Sequence, residues 1–145
     1  MNKAEEAIRF FSGNFNCAQS VFSVFALELG LERKTALKVA TSFGGGIAHL
    51  DELCGAVTGA LMVIGLKHGM DKNDDLEAKE RTYELSQEFA AKFKSRNGSL
   101  RCTELIGYNL SNAKDYEKAK EADVFNTKCT KFVKDAVEIL EELPE

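Results

Sequence analysis

The chain is almost free of proline, and this limits its possible folds more than any other feature. Its single proline is Pro144, near the C-terminal end. Proline breaks helices, so its absence elsewhere permits many uninterrupted ones. No run of alternating apolar and polar residues indicates a strand, whereas apolar residues recur at helical spacing. We predict an all-α helical bundle of about six to eight helices. The predicted helices span residues 3–11, 17–29, 33–41, 49 or 51 to 68, 74–96, 102–106, 112–122 and 127–143.

Length and composition indicate one soluble domain. The chain has 145 residues, of which 44 % are hydrophobic and 29 % charged. These values are typical of a globular protein with a real core. We find neither a linker nor an internal repeat, so we predict a single domain over residues 1–145.

Charge and hydropathy limit the classes of partner. The formal charge is −4 and no strongly basic patch is present, so we expect no nucleic-acid partner. The longest apolar run, Cys54 to Leu66, is shorter than the roughly 20 residues that cross a bilayer, which predicts a buried helix and no transmembrane segment. The first residues include acids and do not resemble a secretory signal. We therefore expect a cytoplasmic protein, with an unidentified redox partner protein and room for a homodimer contact.

The four cysteines are scattered singly, and each follows a residue that can cap a helix. They are Cys17, Cys54, Cys102 and Cys129, and the candidate caps are Asn16, Asp51, Ser99 and Thr127. A helix N-terminus carries partial positive charge and spare N–H donors. A thiol placed there loses its proton more readily and becomes a better nucleophile or metal ligand. The pattern therefore predicts a four-cysteine site assembled by tertiary structure.

The chemistry of that site stays open at the level of residues. No C-x-x-C pair occurs, which argues against a zinc finger and against a thioredoxin-like motif. Four thiolates can hold an iron–sulfur cluster, most simply [2Fe–2S], for electron transfer. They can instead cycle between dithiol and disulfide as a thiol–disulfide oxidoreductase or redox sensor. A non-catalytic zinc-binding or accessory module, or simply buried apolar thiols, are the other interpretations.

Glycines and polar residues near the cysteines are further candidates. Gly55 and Gly59 remove side-chain bulk beside Cys54, which allows a cofactor, a second cysteine or another helix to approach. The run Gly44-Gly45-Gly46 forms a turn or offers backbone N–H groups to sulfur. His49 is a candidate ligand or proton donor, and Arg101 a candidate for stabilising a thiolate.

The order of these motifs resembles a known family. Asn16-Cys17-Ala18-Gln19, then Cys54-Gly55-Ala56-Val57-Thr58-Gly59, then a lone Cys102 and a lone Cys129 look like the C_GCAxxG_C_C family of redox-active proteins. A related helical domain occurs in split-Soret cytochromes, where the cysteines suit an iron–sulfur centre. The resemblance implies a small helical protein whose four cysteines are the functional residues, catalytic or metal-binding. It favours electron transfer through a cysteine-ligated cluster and leaves zinc, disulfides or no cofactor as alternatives.

Overall fold

The computed structural model describes all residues from 1 to 145, and its helices follow the predicted order. No strand is present, and an isolated antiparallel bridge pairs Leu53 with Arg101. The all-α prediction is therefore confirmed, with eight right-handed helices. These are α1 (Lys3–Ser12), α2 (Cys17–Ala26), α3 (Arg33–Ala40), α4 (Gly55–His68), α5 (Leu76–Asn97), α6 (Cys102–Ile106), α7 (Ala113–Glu121) and α8 (Thr130–Glu142).

The largest boundary error lies before α4. The sequence predicts a helix that starts at residue 49 or 51, but α4 starts at Gly55. A 3-10 turn, Thr41–Phe43, is followed there by a tight segment, Gly44–His49, which we call the glycine turn. Backbone φ is positive at every residue from 45 to 49, so this segment winds left-handed and cannot continue into α4.

Two smaller boundary differences have local causes. Helix α2 ends at Ala26 rather than at residue 29, because residues 27–30 form a turn that closes at Gly30 with φ +88°. A π-helical turn, Phe125–Cys129, leads into α8, so the regular helix begins at Thr130 rather than at residue 127. The π geometry places one extra residue in that turn.

Helices α2 and α4 form the centre of the molecule. Nearly all of α2 is buried, and α4 is buried along its first two turns. The amphipathic helices α5 and α8 turn apolar faces, including Phe89 and Val133, towards one continuous core. None of the helices combines the length and the apolar character needed to cross a bilayer.

The contact between α2 and α4 is close enough to require glycine. A Cβ at Gly59 would lie 2.8 Å from the carbonyl oxygen of Ala18 and 3.1 Å from its Cα. A Cβ at Gly55 would lie 3.0 Å from the Ala18 nitrogen. Backbone atoms cannot rotate out of the way as a flexible side chain does. The small-residue face predicted on α4 therefore receives α2.

Gly59→Ala should destabilise the protein. Its methyl group must push α2 and α4 apart, and such overpacking costs about 1–3 kcal/mol. Gly65→Ala, in the same helix, is the matched control, because a Cβ at Gly65 meets nothing within 4 Å. Since alanine favours a helix over glycine by about 0.5–1 kcal/mol, Gly65→Ala should leave stability unchanged or raise it. Urea unfolding measures both, and equal stability of the two variants would contradict the close contact.

Candidate functional site

The four cysteines gather in one buried region. Cys17 is the first residue of α2, Cys54 immediately precedes α4, Cys102 is the first residue of α6, and Cys129 ends the π turn before α8. The exposed fractions of these residues are 8 %, 5 %, 8 % and 8 %, respectively. All four are free thiols, and charge on Cys17 acts on the pKa of each of the other three.

A capping box fixes the position of Cys17. Asn16 accepts a hydrogen bond from the Gln19 backbone N–H at 2.9 Å, and the Gln19 side chain accepts from the Asn16 N–H at 3.0 Å. This reciprocal pair satisfies two backbone donors that a helix start otherwise leaves free. Cys17 consequently lies at a well-defined N-terminus with its sulfur near the first-turn N–H groups.

The same two side chains anchor the start of α2 to the residues after α3. Asn16 Nδ2 donates to the Thr41 carbonyl at 2.8 Å, and Gln19 Nε2 donates to the Leu37 carbonyl at 3.0 Å. Gly44 then lies directly against Asn16, since a Cβ at Gly44 would come within 2.2 Å of Asn16 Cγ. The glycine turn is thereby held over Cys17.

A short backbone bridge brings Cys54 and Cys102 together. The Cys54 N–H donates to the Leu100 carbonyl at 2.8 Å, and the Cys102 N–H donates to the Glu52 carbonyl at 3.0 Å. These two bonds flank the Leu53–Arg101 bridge. The segments entering α4 and α6 are therefore locked side by side, with one cysteine at the end of each.

The glycine turn covers the thiols with backbone rather than with side chains. Gly45 has φ +63° and Gly46 has φ +72°, and a Cβ at Gly46 would lie 2.8 Å from Cys102 Cβ and 3.4 Å from its sulfur. Ile47, Ala48 and His49 also have positive φ, which costs about 1–2 kcal/mol for each non-glycine residue. Strain of this kind persists only where the surroundings impose it, and it is concentrated at functional sites.

Several contacts hold the strained turn in place. The Glu52 N–H donates to the Gly46 carbonyl at 2.9 Å. The ring of His49 packs on Tyr116, with centroids 4.9 Å apart. Just beyond the turn, Asp51 accepts from the Thr103 hydroxyl, and Arg101 Nη2 donates to the Asp51 carbonyl at 2.9 Å. The turn is therefore tied to both α6 and α7.

Cys17 and Cys54 form an unequal pair of thiols. The S–H of Cys54 donates to the Cys17 sulfur, and this interaction is the main cause that lowers the pKa of Cys17 to about 6. Backbone N–H groups of Gly45, Cys17 and Ala18 add to the effect, while burial opposes it. The Cys54 pKa is raised well above its usual value, first by the same hydrogen bond and then by burial. At neutral pH the two sulfurs together carry one proton, and that proton is bound to Cys54.

The other two cysteines remain protonated. Burial is the main cause that raises the pKa of Cys102 to about 12, and negative charge on Cys17 and Asp51 adds to it. Burial likewise raises the pKa of Cys129, with charge on Cys17 and Cys102 as further causes. One thiolate and three neutral thiols are therefore the favoured charge state, since like charges so close repel.

The common capping pattern predicted for the four cysteines is correct only for Cys17. Cys54 is itself the residue before the helix, with no side-chain cap, and no side chain caps α6. The Ser99 hydroxyl accepts from the Arg101 N–H instead. The Thr127 hydroxyl donates to the Asp123 carbonyl, and Cys129 continues from the π turn into α8. For Cys102 and Cys129, burial therefore raises the pKa by more than any nearby helix N-terminus lowers it.

The other candidate residues separate into those beside the sulfurs and those elsewhere. A Cβ at Gly55 would lie 2.9 Å from the Cys17 sulfur, so Gly55 gives this thiol its space. Gly59 lies against the Ala18 backbone instead. The exposed ring of His49 packs on Tyr116, and Arg101 pairs with Asp51 at 3.6 Å. Neither side chain is among the groups that shift a cysteine pKa.

Two features of the site go beyond what the sequence predicts, although a turn or N–H donors to sulfur were expected at the three glycines. The left-handed path of the glycine turn supplies the Gly45 N–H to Cys17, and the run of three glycines was its only local signal. The Leu53–Arg101 bridge joins residues far apart in the chain, and no short-range pattern marks it.

The thiols match a [2Fe–2S] cluster in type and number but not in arrangement. Such a cluster takes four cysteine thiolates. No group of three or more His, Cys, Asp or Glu side chains is positioned to hold a metal ion. The arrangement as it stands suits a reactive thiol pair with two neutral neighbours.

Fold and site together define a helical protein with four buried, interacting thiols. The family model described as "Putative redox-active protein (C_GCAxxG_C_C)" matches residues 15–143. The chain therefore belongs to this redox-active family, as its motifs indicated. No curated protein and no solved structure matches the chain.

Thiolate absorbance in the ultraviolet should rise with a midpoint at pH about 6, the pKa of Cys17. The pKa is lowered, so the thiolate forms above that pH and is lost below it. Cys17→Ser should abolish this step, and Cys54→Ala should move it to higher pH because the S–H donor is gone. Cys129→Ala is the control and should leave the midpoint in place. A wild-type midpoint above about pH 8, where ordinary thiols titrate, would contradict the assignment.

Proposed function

We propose that the protein carries out reversible thiol–disulfide chemistry at Cys17 and Cys54. The observation that carries the proposal is the position of Cys17 at the start of α2 beside Cys54 and Gly55 at the start of α4, where interaction with Cys54 lowers the pKa of Cys17. A thiolate is the attacking form in thiol–disulfide exchange, and a pKa at or below ambient pH keeps it populated. Cys54 is adjacent and supplies the second sulfur. Redox activity of the family agrees with this chemistry.

Cys17 is the nucleophile in this mechanism, and Cys54 resolves the product. The Cys17 sulfur attacks the electrophilic atom of an oxidant, a disulfide or a peroxide, and forms a covalent adduct while the leaving group departs. Cys54 then loses its proton and attacks the Cys17 sulfur, which closes the disulfide and releases the rest of the oxidant. The pair thereby loses two electrons and one proton. A second dithiol reverses the reaction, because it reduces the Cys17–Cys54 disulfide and is itself oxidised to a disulfide.

Backbone groups make Cys17 rather than Cys54 the attacking atom. Backbone N–H groups of Gly45, Cys17 and Ala18 stabilise negative charge on the Cys17 sulfur, whereas Ala56 alone does so for Cys54. The backbone N–H of Cys54 itself donates to the Leu100 carbonyl. Gly55, next to Cys54 in the chain, leaves the space that the Cys17 sulfur occupies. The roles of the two cysteines therefore follow from the asymmetry of their main-chain surroundings.

A second candidate function is electron transfer through a cysteine-ligated iron–sulfur centre. Convergence of all four cysteines in one buried site favours it, because four is the number of ligands that such a cluster takes. Cys17, Cys54, Cys102 and Cys129 would be those ligands, and the cluster would supply one-electron chemistry. Binding requires the sulfurs to approach one another more closely than they do in this arrangement. A zinc ion would likewise require the sulfurs to lie closer together.

Mild oxidation with diamide should remove two thiols and link Cys17 to Cys54. Trypsin separates all four cysteines into different peptides, since lysine or arginine lies between each pair, so mass spectrometry identifies the linked partners. Cys17→Ser and Cys54→Ser should each abolish the loss of two thiols, and Cys129→Ser should not. A disulfide confined to any other pair would contradict the proposed roles.

Anaerobic purification distinguishes the second candidate. A brown protein that contains iron and sulfide in equal amounts, and loses them in the Cys102→Ser variant, would support the cluster. A colourless protein without iron, which still forms the Cys17–Cys54 disulfide, would support the thiol pair. Stoichiometric zinc without colour would support the zinc-binding module instead.

A further inference from the structure

Main-chain atoms close off the thiol pair from solvent. Cys17 and Cys54 keep only 8 % and 5 % of their surfaces exposed. The nearest covering atoms belong to the glycine turn, with the Gly45 N–H on the Cys17 sulfur. Gly44 Cα lies 3.1 Å from the point where a Cβ on Gly55 would be, beside that sulfur. The cover is therefore made of main chain and lies close to the reactive atom.

Rotation of side chains does not open this cover. The turn is fixed by the Asn16 contact with Gly44 at one end and by the Glu52 N–H on the Gly46 carbonyl at the other. His49, at the end of the turn, is further held by Tyr116. A protein disulfide carries backbone on both sides of its sulfur atoms, so an in-line approach to Cys17 requires the whole turn to move. A molecule close to water in size needs a much smaller opening of the turn than a protein disulfide does.

We propose that the physiological oxidant of the Cys17–Cys54 pair is a small hydroperoxide, hydrogen peroxide in the simplest case, rather than a protein disulfide. The inference rests on the function proposed above and names its substrate class. Its basis is the burial of both cysteines and the close approach of the glycine turn to the ends of α2 and α4 where they lie. The protein then acts as a peroxide-consuming or peroxide-sensing thiol protein.

The reaction balances with the groups present. The Cys17 thiolate attacks one oxygen of hydrogen peroxide, the O–O bond breaks, and the departing hydroxide takes a proton from solvent and leaves as water. Cys17 is now a sulfenic acid, the first reversible step of thiol oxidation. The Cys54 sulfur attacks the Cys17 sulfur, and its proton leaves with the hydroxyl group as a second water molecule. A small dithiol returns two electrons by exchange and restores the Cys17 thiolate, the Cys54 thiol and one free proton.

The test compares oxidants of different size on the intact protein. Each rate of thiol loss is divided by the rate for the same protein unfolded in urea at the same pH. With hydrogen peroxide the folded protein should react at least as fast as the unfolded one and form the Cys17–Cys54 disulfide. With the bulky aromatic disulfide DTNB it should react slower by about tenfold or more, because exchange awaits local opening of the turn. Equal or greater protection against peroxide than against DTNB would overturn the proposal.

Tyr116→Ala provides a matched variant outside the thiol site. Loss of the ring that packs on His49 loosens the end of the glycine turn while Cys17 and Cys54 keep their contact. The rate with DTNB should rise and the rate with hydrogen peroxide should stay within about twofold of wild type, as expected when only the bulky reagent needs local opening. If the variant accelerates both reagents equally, the turn excludes peroxide as well and the substrate class is wrong.

Diamide separates failure of this inference from failure of the proposed function. A Cys17–Cys54 disulfide that forms with diamide but not with hydrogen peroxide would overturn the peroxide assignment alone. Absence of that disulfide with both oxidants would overturn the thiol–disulfide function itself. Cys17→Ser, checked for folding by circular dichroism, should show no sulfenic acid with a dimedone probe, and a probe signal in this variant would move the nucleophile elsewhere.

Discussion

The contact between α2 and α4 is the constraint on which the site depends. Both helices begin at the same end of the bundle, and the absence of side chains at Gly55 and Gly59 lets their axes approach until backbone meets backbone. Since Cys17 starts one helix and Cys54 precedes the other, this approach brings the two cysteines to adjoining helix ends. The bridge between Leu53 and Arg101 then adds Cys102. Tertiary packing thereby places two cysteines from distant parts of the sequence near each other, whereas a C-x-x-C motif does so within one turn of chain.

Burial gives the four thiols different chemical characters. Without donors, removal from water keeps a thiol protonated, as at Cys102 and Cys129, whose pKa values rise mainly for that reason. Cys17 is equally buried but receives an S–H from Cys54 and three backbone N–H groups. These donors stabilise the negative charge of the Cys17 sulfur in place of water. Repulsion between sulfurs then confines negative charge to this one member of the group.

Helical periodicity and the lack of proline were sufficient to predict the all-α fold and most helix ends, because both are local properties. A turn was predicted at the three glycines, but the helix start at residue 49 or 51 was wrong, since the left-handed path there depends on contacts with Asn16 and α6. The four cysteines are all buried, and the shared capping explanation fails for three of them. Which sulfur carries the charge depends on donors from distant parts of the chain, and a single sequence does not show that.

The donors to Cys17 have a consequence for how the site tolerates change. Apart from the Cys54 thiol they are peptide N–H groups, which every residue except proline carries, so exchange of a side chain does not delete them as exchange of an arginine or a histidine deletes its charge. Only a change that alters the chain path, such as a bulky residue at Gly44 or loss of the Asn16 cap, moves them off the sulfur. This part of the stabilisation of the Cys17 thiolate thus depends on the path of the backbone. Sequences that differ widely around the site can preserve it provided that this path survives.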